Sequence, residues 1–360
     1  MGEAPDNSNP PGMINRASRV LSRGTFLLGG AVCAGVLGVP TAVRAARALR
    51  LVLFPGGMNW TTFIARDKGF FAREGLDVAI TPTPNSVQLF SKLMAGEYDV
   101  ASTALDNVVA YDEGQGDRAV TNGPFDLFAF MAHDQGLLNL VVAPEVKSYA
   151  DLRGKTLAVD AIATGYAFVL RALLERNGLR SADYTLVAAG GTKARYEAML
   201  AGAYAGSILG TPFELQAQDR GLRVLERVGD VFGAYQGSCG VARRAWAAAH
   251  PDLLVAYIRA MRASARWLFD PANGVEARGI LASGANLTPA LADAAATRLL
   301  DSRGGLSPNG AFSHEGIATV LELRNKYGGA ASPLVRADSY IDTTYYARAE
   351  KSSPASVTKL

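Results

Sequence analysis

Between Asp67 and Val100 the sequence runs helix, glycine turn, strand, helix, glycine turn, strand, an order that commits this part of the chain to an α/β lobe. The first helix ends in Lys68-Gly69-Phe70-Phe71-Ala72-Arg73-Glu74-Gly75, and both glycines stand where a helix end or a turn needs positive φ. Leu76, Val78 and Ile80 then alternate as a half-buried strand does. A second amphipathic piece closes at Leu93-Met94-Ala95-Gly96-Glu97, and Tyr98-Asp99-Val100-Ala101 leads into another strand.

The same order extends in both directions. Upstream, a strand is expected over 49–54, a turn at Pro55-Gly56-Gly57, and a helix from near Asn59 or Thr61 to Lys68. Downstream, strands are expected over 125–132 and 137–143. Ser148-Tyr149-Ala150-Asp151-Leu152-Arg153-Gly154-Lys155-Thr156-Leu157-Ala158-Val159 then delivers the chain into a new strand. A helix over 166–177, a strand over 184–188 and a helix over 193–200 follow. Met199-Leu200-Ala201-Gly202-Ala203-Tyr204 echoes the turn at Leu93-Met94-Ala95-Gly96-Glu97-Tyr98. Such turns recur in α/β proteins generally, so the order of elements carries more weight than the echo.

A chain of 360 residues exceeds what one core usually supports, and two lobes are expected. Beyond Gly240 helical patterns run over 244–269, 275–282, 289–300 and 314–327, with Pro251, Pro271 and Pro289 at helix starts, where the missing amide costs nothing. These helices are expected to pack back on the first lobe. The reading is therefore an export segment over 1–48, the first part of lobe 1 over 49–140, lobe 2 over 141–236, and a return to lobe 1 with C-terminal helices over 237–360.

The N-terminus carries the export reading. Arg16, Arg19 and Arg23 precede an apolar run over 26–43, and Ala46-Arg47-Ala48 supplies a small-x-small cleavage pattern just before the first strand. Ser22-Arg23-Gly24-Thr25-Phe26-Leu27 is similar to a twin-arginine signal, but Gly24 stands where the second arginine belongs, so the twin-arginine and general secretory routes both stay open. Gly29, Gly30, Gly35 and Gly38 weaken the alternative of a retained membrane anchor. Gly30 and Val32 do not fit lipid attachment at Cys33.

Several chemistries lack their residues. The formal charge is only +3 and the basic residues are scattered, which gives no footprint for nucleic acid. His133, His250 and His314 are isolated, no Cys or His pair has metal spacing, and no glycine-rich cofactor loop occurs; no metal or cofactor is expected. The two cysteines, Cys33 and Cys239, exclude a disulfide framework. Cys239, beside Gly237 and Gly240, reads as structural, so catalysis is not expected.

Taken together, Lys68 to Val78, Leu93 to Val100, Ser148 to Val159 and the ending Tyr340-Ile341-Asp342-Thr343-Thr344-Tyr345-Tyr346-Ala347 resemble segments of the periplasmic substrate-binding proteins of ABC importers for nitrate, sulfonates, taurine and thiamine precursors. The resemblance implies a two-lobed α/β periplasmic binding protein of type II, with a cleft between lobes. It also implies a small-molecule ligand, ABC permease and ATPase subunits as partners, a periplasmic location and a monomer. An aromatic sulfinate desulfinase on the same fold would need a cysteine in the loop after the first strand, where Pro55-Gly56-Gly57-Met58 stands. A pyrimidine-synthesising relative would need cysteine and histidine motifs that are absent. A ligand-sensing partner of a membrane receptor would use the same cleft.

In open α/β sheets ligands bind beyond the carboxyl ends of the strands. That rule selects Gly57, Asn59 and Trp60 after the first strand, Asn85 and Ser86 before the next helix, and Thr103, Asp106 and Asn107 in lobe 1. In lobe 2 it selects Thr164, Gly165 and Tyr166, then Gly191, Thr192 and Arg195, then Thr211. Gly, Ser, Thr and Asn there leave amides accessible or cap helices, and helix N-termini favour an oxoanion such as a sulfonate or carboxylate. Trp60 and Tyr166 are expected as flat apolar walls. Arg195 either grips the ligand's acid or pairs with a neighbouring carboxylate. Asp106 in the cleft would instead accept from an amine or amidine, which keeps amino acid-like, taurine-like and aminopyrimidine ligands open.

Overall fold

The computed structural model describes residues 46–117, 120, 125–329 and 332–351. The chain opens with β1 (Arg47–Leu53), α1 (Trp60–Asp67), α2 (Phe70–Arg73), β2 (Leu76–Pro82), α3 (Ser86–Met94), β3 (Val100–Ala104), α4 (Leu105–Asp112) and β4 (Leu127–Ala132). It continues with β5 (Leu138–Val142), β6 (Thr156–Val159), α5 (Gly165–Arg176), β7 (Thr185–Ala188), α6 (Thr192–Leu200), β8 (Gly206–Gly210), α7 (Phe213–Asp219), β9 (Arg223–Arg227) and α8 (Val228–Phe232). The last part holds β10 (Ser238–Arg243), α9 (Arg244–Ala249), α10 (Pro251–Leu268), α11 (Gly274–Ala285), α12 (Pro289–Leu299), α13 (His314–Tyr327) and α14 (Thr344–Lys351).

The strands form two five-stranded sheets of one design, β2-β1-β3-β10-β4 and β7-β6-β8-β5-β9. In each, three parallel strands are followed by one antiparallel strand that arrives from a crossing between the lobes: β10 lies against β3 and β4, and β5 against β8 and β9. The first crossing therefore lies over 133–137. The expected boundary at 140/141 would cut β5, whose five residues all pair with β8. The short strand β9, half-buried and bounded by arginines, had no periodic signal of its own.

Leu49 and Leu51 of β1 face one core with α2 and α10, while Val52 faces another with α3 and α4. A strand buried on both faces is what a covered parallel sheet requires. The echoed turns are alike in conformation: Gly96 and Gly202 adopt φ 78° and 73°, where a β-carbon would be strained.

The C-terminal helices differ from expectation in two respects. The pattern over 244–269 is broken at His250 into α9 and α10, because Pro251 starts a new helix. Helix α13 packs on both α4 of lobe 1 and α5 of lobe 2 and so does not return to lobe 1 alone. The tail runs along β4, where Ile341 bridges Ala129.

The expected export segment over 1–48 lies outside the described residues except for 46–48. Arg47 and Ala48 already belong to β1, paired with Leu76 and Asp77, so cleavage behind Ala48 would remove two strand residues. Among the described residues no helix is long and apolar enough to cross a membrane.

Candidate functional site

The carboxyl ends of the two sheets line one narrow cavity of about 40 Å³. Lobe 1 contributes Phe54 and Met58 after β1, Ser102, Thr103 and Ala104 at the end of β3, Asn107 in the first turn of α4, and Ser238 at the start of β10. Lobe 2 contributes Asp160 after β6, Thr164, Gly165 and Tyr166 at the start of α5, and Gly191, Thr192 and Arg195 at the start of α6. Of the residues selected from sequence, Thr103, Asn107, Thr164, Gly165, Tyr166, Gly191, Thr192 and Arg195 thus come together.

Neither α5 nor α6 has a side chain capping its N-terminus. Their first amides therefore present donors and partial positive charge at the cavity. Beneath them lies Arg195, 1% exposed. Its Nε donates to Ser207 Oγ at 2.9 Å, Nη1 to the Gly190 carbonyl at 2.6 Å, and Nη2 to the Ile208 carbonyl at 2.9 Å and Thr192 Oγ1 at 3.3 Å. These bonds use four of its five N–H donors. No carboxylate pairs with it among the described residues, and burial pushes its pKa down against the pull of Asp160 and Tyr166. A buried guanidinium held by neutral acceptors keeps its charge available to the cavity.

Asp106 corrects the sequence reading. It does not face the cavity as a free acceptor, because Arg324 of α13 takes both its oxygens, Nε to Oδ1 at 2.7 Å and Nη2 to Oδ2 at 2.5 Å. Arg324 also donates to Gln115 Oε1 at 2.9 Å and to the Ala163 carbonyl of lobe 2 at 2.8 Å, and lies 4.7 Å over the Phe168 ring. The pair therefore joins the lobes. Gly165 fits beside it because a β-carbon would come within 2.5 Å of Asp106 Cβ.

Trp60 is the second correction: it is 1% exposed in a core with Ile64, Leu281 and Leu299, and its Nε1 donates to the Ala277 carbonyl at 2.8 Å. Phe54 and Met58 take the place expected of it as apolar wall. Other selected residues serve the loops around the cavity. Asn59 donates to the Phe54 carbonyl, Asn85 caps α3 through the Gln88 amide, and Ser86 lines a neighbouring recess. Gly57 and Thr211 meet across the lobes, the Gly57 amide donating to the Thr211 carbonyl at 2.9 Å. A second bond of this kind runs from the Gly191 amide to the Pro84 carbonyl at 2.8 Å.

Sequence reasoning missed Asp160, Ser102, Ser238 and Phe54 in the lining. All four stand at or beside strand ends, so the rule that selected their neighbours could have found them. Ser102 Oγ lies 2.9 Å from His133 Nδ1 at the crossing, and burial lowers the His133 pKa to about 4, which keeps the ring neutral. Asp134 fastens the two crossings, accepting from the Gly136 amide at 2.9 Å and the Ser238 amide at 3.0 Å. Cys239 is buried in β10, its thiol donates to the Thr103 carbonyl, and burial raises its pKa well above the usual value. It is therefore not a poised thiolate. Among the described residues no cluster of side chains could hold a metal ion.

A protein of Bordetella bronchiseptica RB50 superimposes with a TM-score of 0.72 at 22% identity, over 87% of this chain and 99% of its own. The periplasmic nitrate-binding protein NrtA of Synechocystis PCC 6803 gives 0.71 at 14%, over 85% and 89%. The alkanesulfonate-binding protein SsuA of Xanthomonas axonopodis pv. citri, bound to MOPS, gives 0.66 at 16%, over 82% and 98%. These likenesses show the two-lobed periplasmic binding protein fold. No curated protein sequence matches. The family model for NMT1/THI5-like proteins matches residues 60–273, more than half of the chain, and on that match the chain belongs to the NMT1/THI5-like family.

Proposed function

We propose that this protein is the exported ligand-binding component of an ABC importer for a small organic anion, a sulfonate, carboxylate or related acid. The observation that carries the reading is Arg195, buried without a carboxylate partner among the described residues, at the uncapped N-termini of α5 and α6 in a cavity walled by both lobes. Helix N-termini and a fixed guanidinium together recognise oxoanions, and Phe54 and Met58 offer an apolar surface to the rest of the ligand.

In this reading the ligand meets one lobe first, and closure brings the other lobe's donors onto it. Affinity then reports the difference between open and closed states. The closed form would be what the permease and ATPase subunits recognise, with the protein acting as a monomer in the periplasm. Export would follow from the segment before β1. Because Arg47 is a strand residue, the mature chain is expected to begin at or before it, which mass spectrometry of the periplasmic fraction checks. A mature chain that still contains residues 26–43 would make the segment an anchor.

A thermal-shift screen over alkyl and aryl sulfonates, carboxylates, nitrate and aminopyrimidines tests the ligand class, since a ligand of the native state raises its melting temperature by mass action. Stabilisation by an organic acid, lost in Arg195→Gln, supports the reading. Stabilisation by neutral pyrimidines alone would overturn it.

A further inference from the structure

Asp160 is unexplained by a site for anions alone. It stands directly after β6 and lines the cavity with Arg195. Its Oδ1 is buried and has no hydrogen-bond partner among the described residues. The opposite charges attract, yet no ion pair within 4.0 Å joins them. A carboxylate oxygen withdrawn from water with no donor is costly, more so than a neutral group.

Thr164, Gly190 and Arg195, on the segments around it, turn their donors elsewhere. Thr164 Oγ1 donates to the Ala161 carbonyl at 2.9 Å, and the Gly190 amide to the backbone oxygen of Asp160 at 3.3 Å. The guanidinium of Arg195 is turned to Ser207, Gly190, Thr192 and Ile208. With no protein donor within hydrogen-bond distance among the described residues, a ligand in the cavity can supply what the oxygen lacks. A plain anion would bring a second negative charge beside it, whereas a ligand N–H or O–H would make a charge-assisted bond.

We infer that Asp160 makes the cavity selective for small organic acids that carry an N–H or O–H donor besides the acid group. This rests on the organic-anion reading above. The donor is accepted by Asp160 Oδ1, while the acid is met by Arg195 and the N-termini of α5 and α6. The cavity is thereby bipolar, and acids without a donor, nitrate and simple alkanesulfonates among them, are disfavoured. A site with a buried group awaiting a donor rejects the analogue that lacks it more strongly than an apolar pocket rejects a missing methylene.

Matched probes test the inference by titration calorimetry near neutral pH. Ethanesulfonate, isethionate and taurine differ only in bearing hydrogen, hydroxyl or ammonium on one carbon; propionate with β-alanine, and benzenesulfonate with sulfanilate, extend the series. At least one donor-bearing acid should bind roughly tenfold or more tightly than its plain partner, the ratio one charge-assisted bond supplies. Asp160→Ala should bring that ratio close to one, with plain acids binding more tightly because the carboxylate that repels them is gone. Asp160→Asn, which keeps the size, should weaken the donor-bearing acid too, with circular dichroism confirming the fold of each variant. Equal binding of both members of every pair by the wild type, or a ratio that survives Asp160→Ala, would overturn the inference and leave the organic-anion reading standing. Failure of every acid to bind the folded protein would overturn both.

Discussion

Arg324 and Arg195 are exposed by 0% and 1%, yet they keep opposite company. Arg324 holds both oxygens of Asp106 and reaches Gln115 and the Ala163 carbonyl, so its charge is consumed by the joint between the lobes. Among the described residues Arg195 is held only by hydroxyl and carbonyl oxygens, which fix its position without cancelling its charge. Burial alone therefore does not distinguish a structural cation from one poised for a ligand. The partner does. A guanidinium with a carboxylate serves the fold; one with neutral acceptors keeps an electrostatic demand that something else must meet.

The largest effect should come from separating the first pair. Arg324→Ala or Asp106→Ala alone is expected to cost about 3–5 kcal/mol, because each leaves an uncompensated buried charge. The double change Asp106→Leu with Arg324→Met should cost less than either single one, as urea denaturation would report. Costs that simply add would break the claim that this arginine is spent on Asp106.

Glu214 shows what a buried carboxyl does without a guanidinium in contact. It accepts from Thr211 Oγ1 at 2.7 Å, its other oxygen lacks a partner among the described residues, and burial raises its pKa from 4.5 to about 7. The folded state then holds a proton that the unfolded state releases, so this group's stabilisation, full below pH 4.5, is lost as pH rises through about 7. Glu214→Gln should gain up to about 3 kcal/mol over wild type near pH 8 and nothing near pH 4. His133 has the opposite sign: with a folded pKa of about 4 against 6.5, its neutral form stabilises the fold above pH 6.5 and loses that as pH falls through about 4. The two slopes oppose each other, and Glu214→Gln should expose the loss on the acid side.

Arg195→Gln should weaken binding of the acid found by screening by about 1.5–3 kcal/mol, the worth of hydrogen bonds to a charged group. Its urea midpoint should fall less than that of Arg324→Ala. A larger fall would erase the difference between the two arginines. The smallest effect concerns Trp60, which lies outside the cavity: Trp60→Phe loses the bond to the Ala277 carbonyl, about 1 kcal/mol of stability, and should leave calorimetric affinity unchanged.

Much of the fold was legible because its signals are local. The alternation after Gly75, the proline starts of α10 and α12 and the paired glycine turns are set by neighbours within a few residues, and the structure has them all. Strand ends also located more than half of the cavity-lining candidates. The errors share one cause. Trp60 and Asp106 were placed by their own strand ends, but their partners Ala277 and Arg324 lie 217 and 218 residues away.

The sequence by itself determined the elements, their order and part of the chemical supply: Asp106 and Arg195 in the first turns of helices that follow strands, with glycines where the lobes must approach. Only the tertiary structure decided how that supply was divided. Helix α13 packs across both lobes and brings Arg324 to Asp106, which leaves Asp160 and Arg195 to the cavity. A buried charge acts through whatever lies within a few ångströms, and that distance is set by packing between elements remote in the chain.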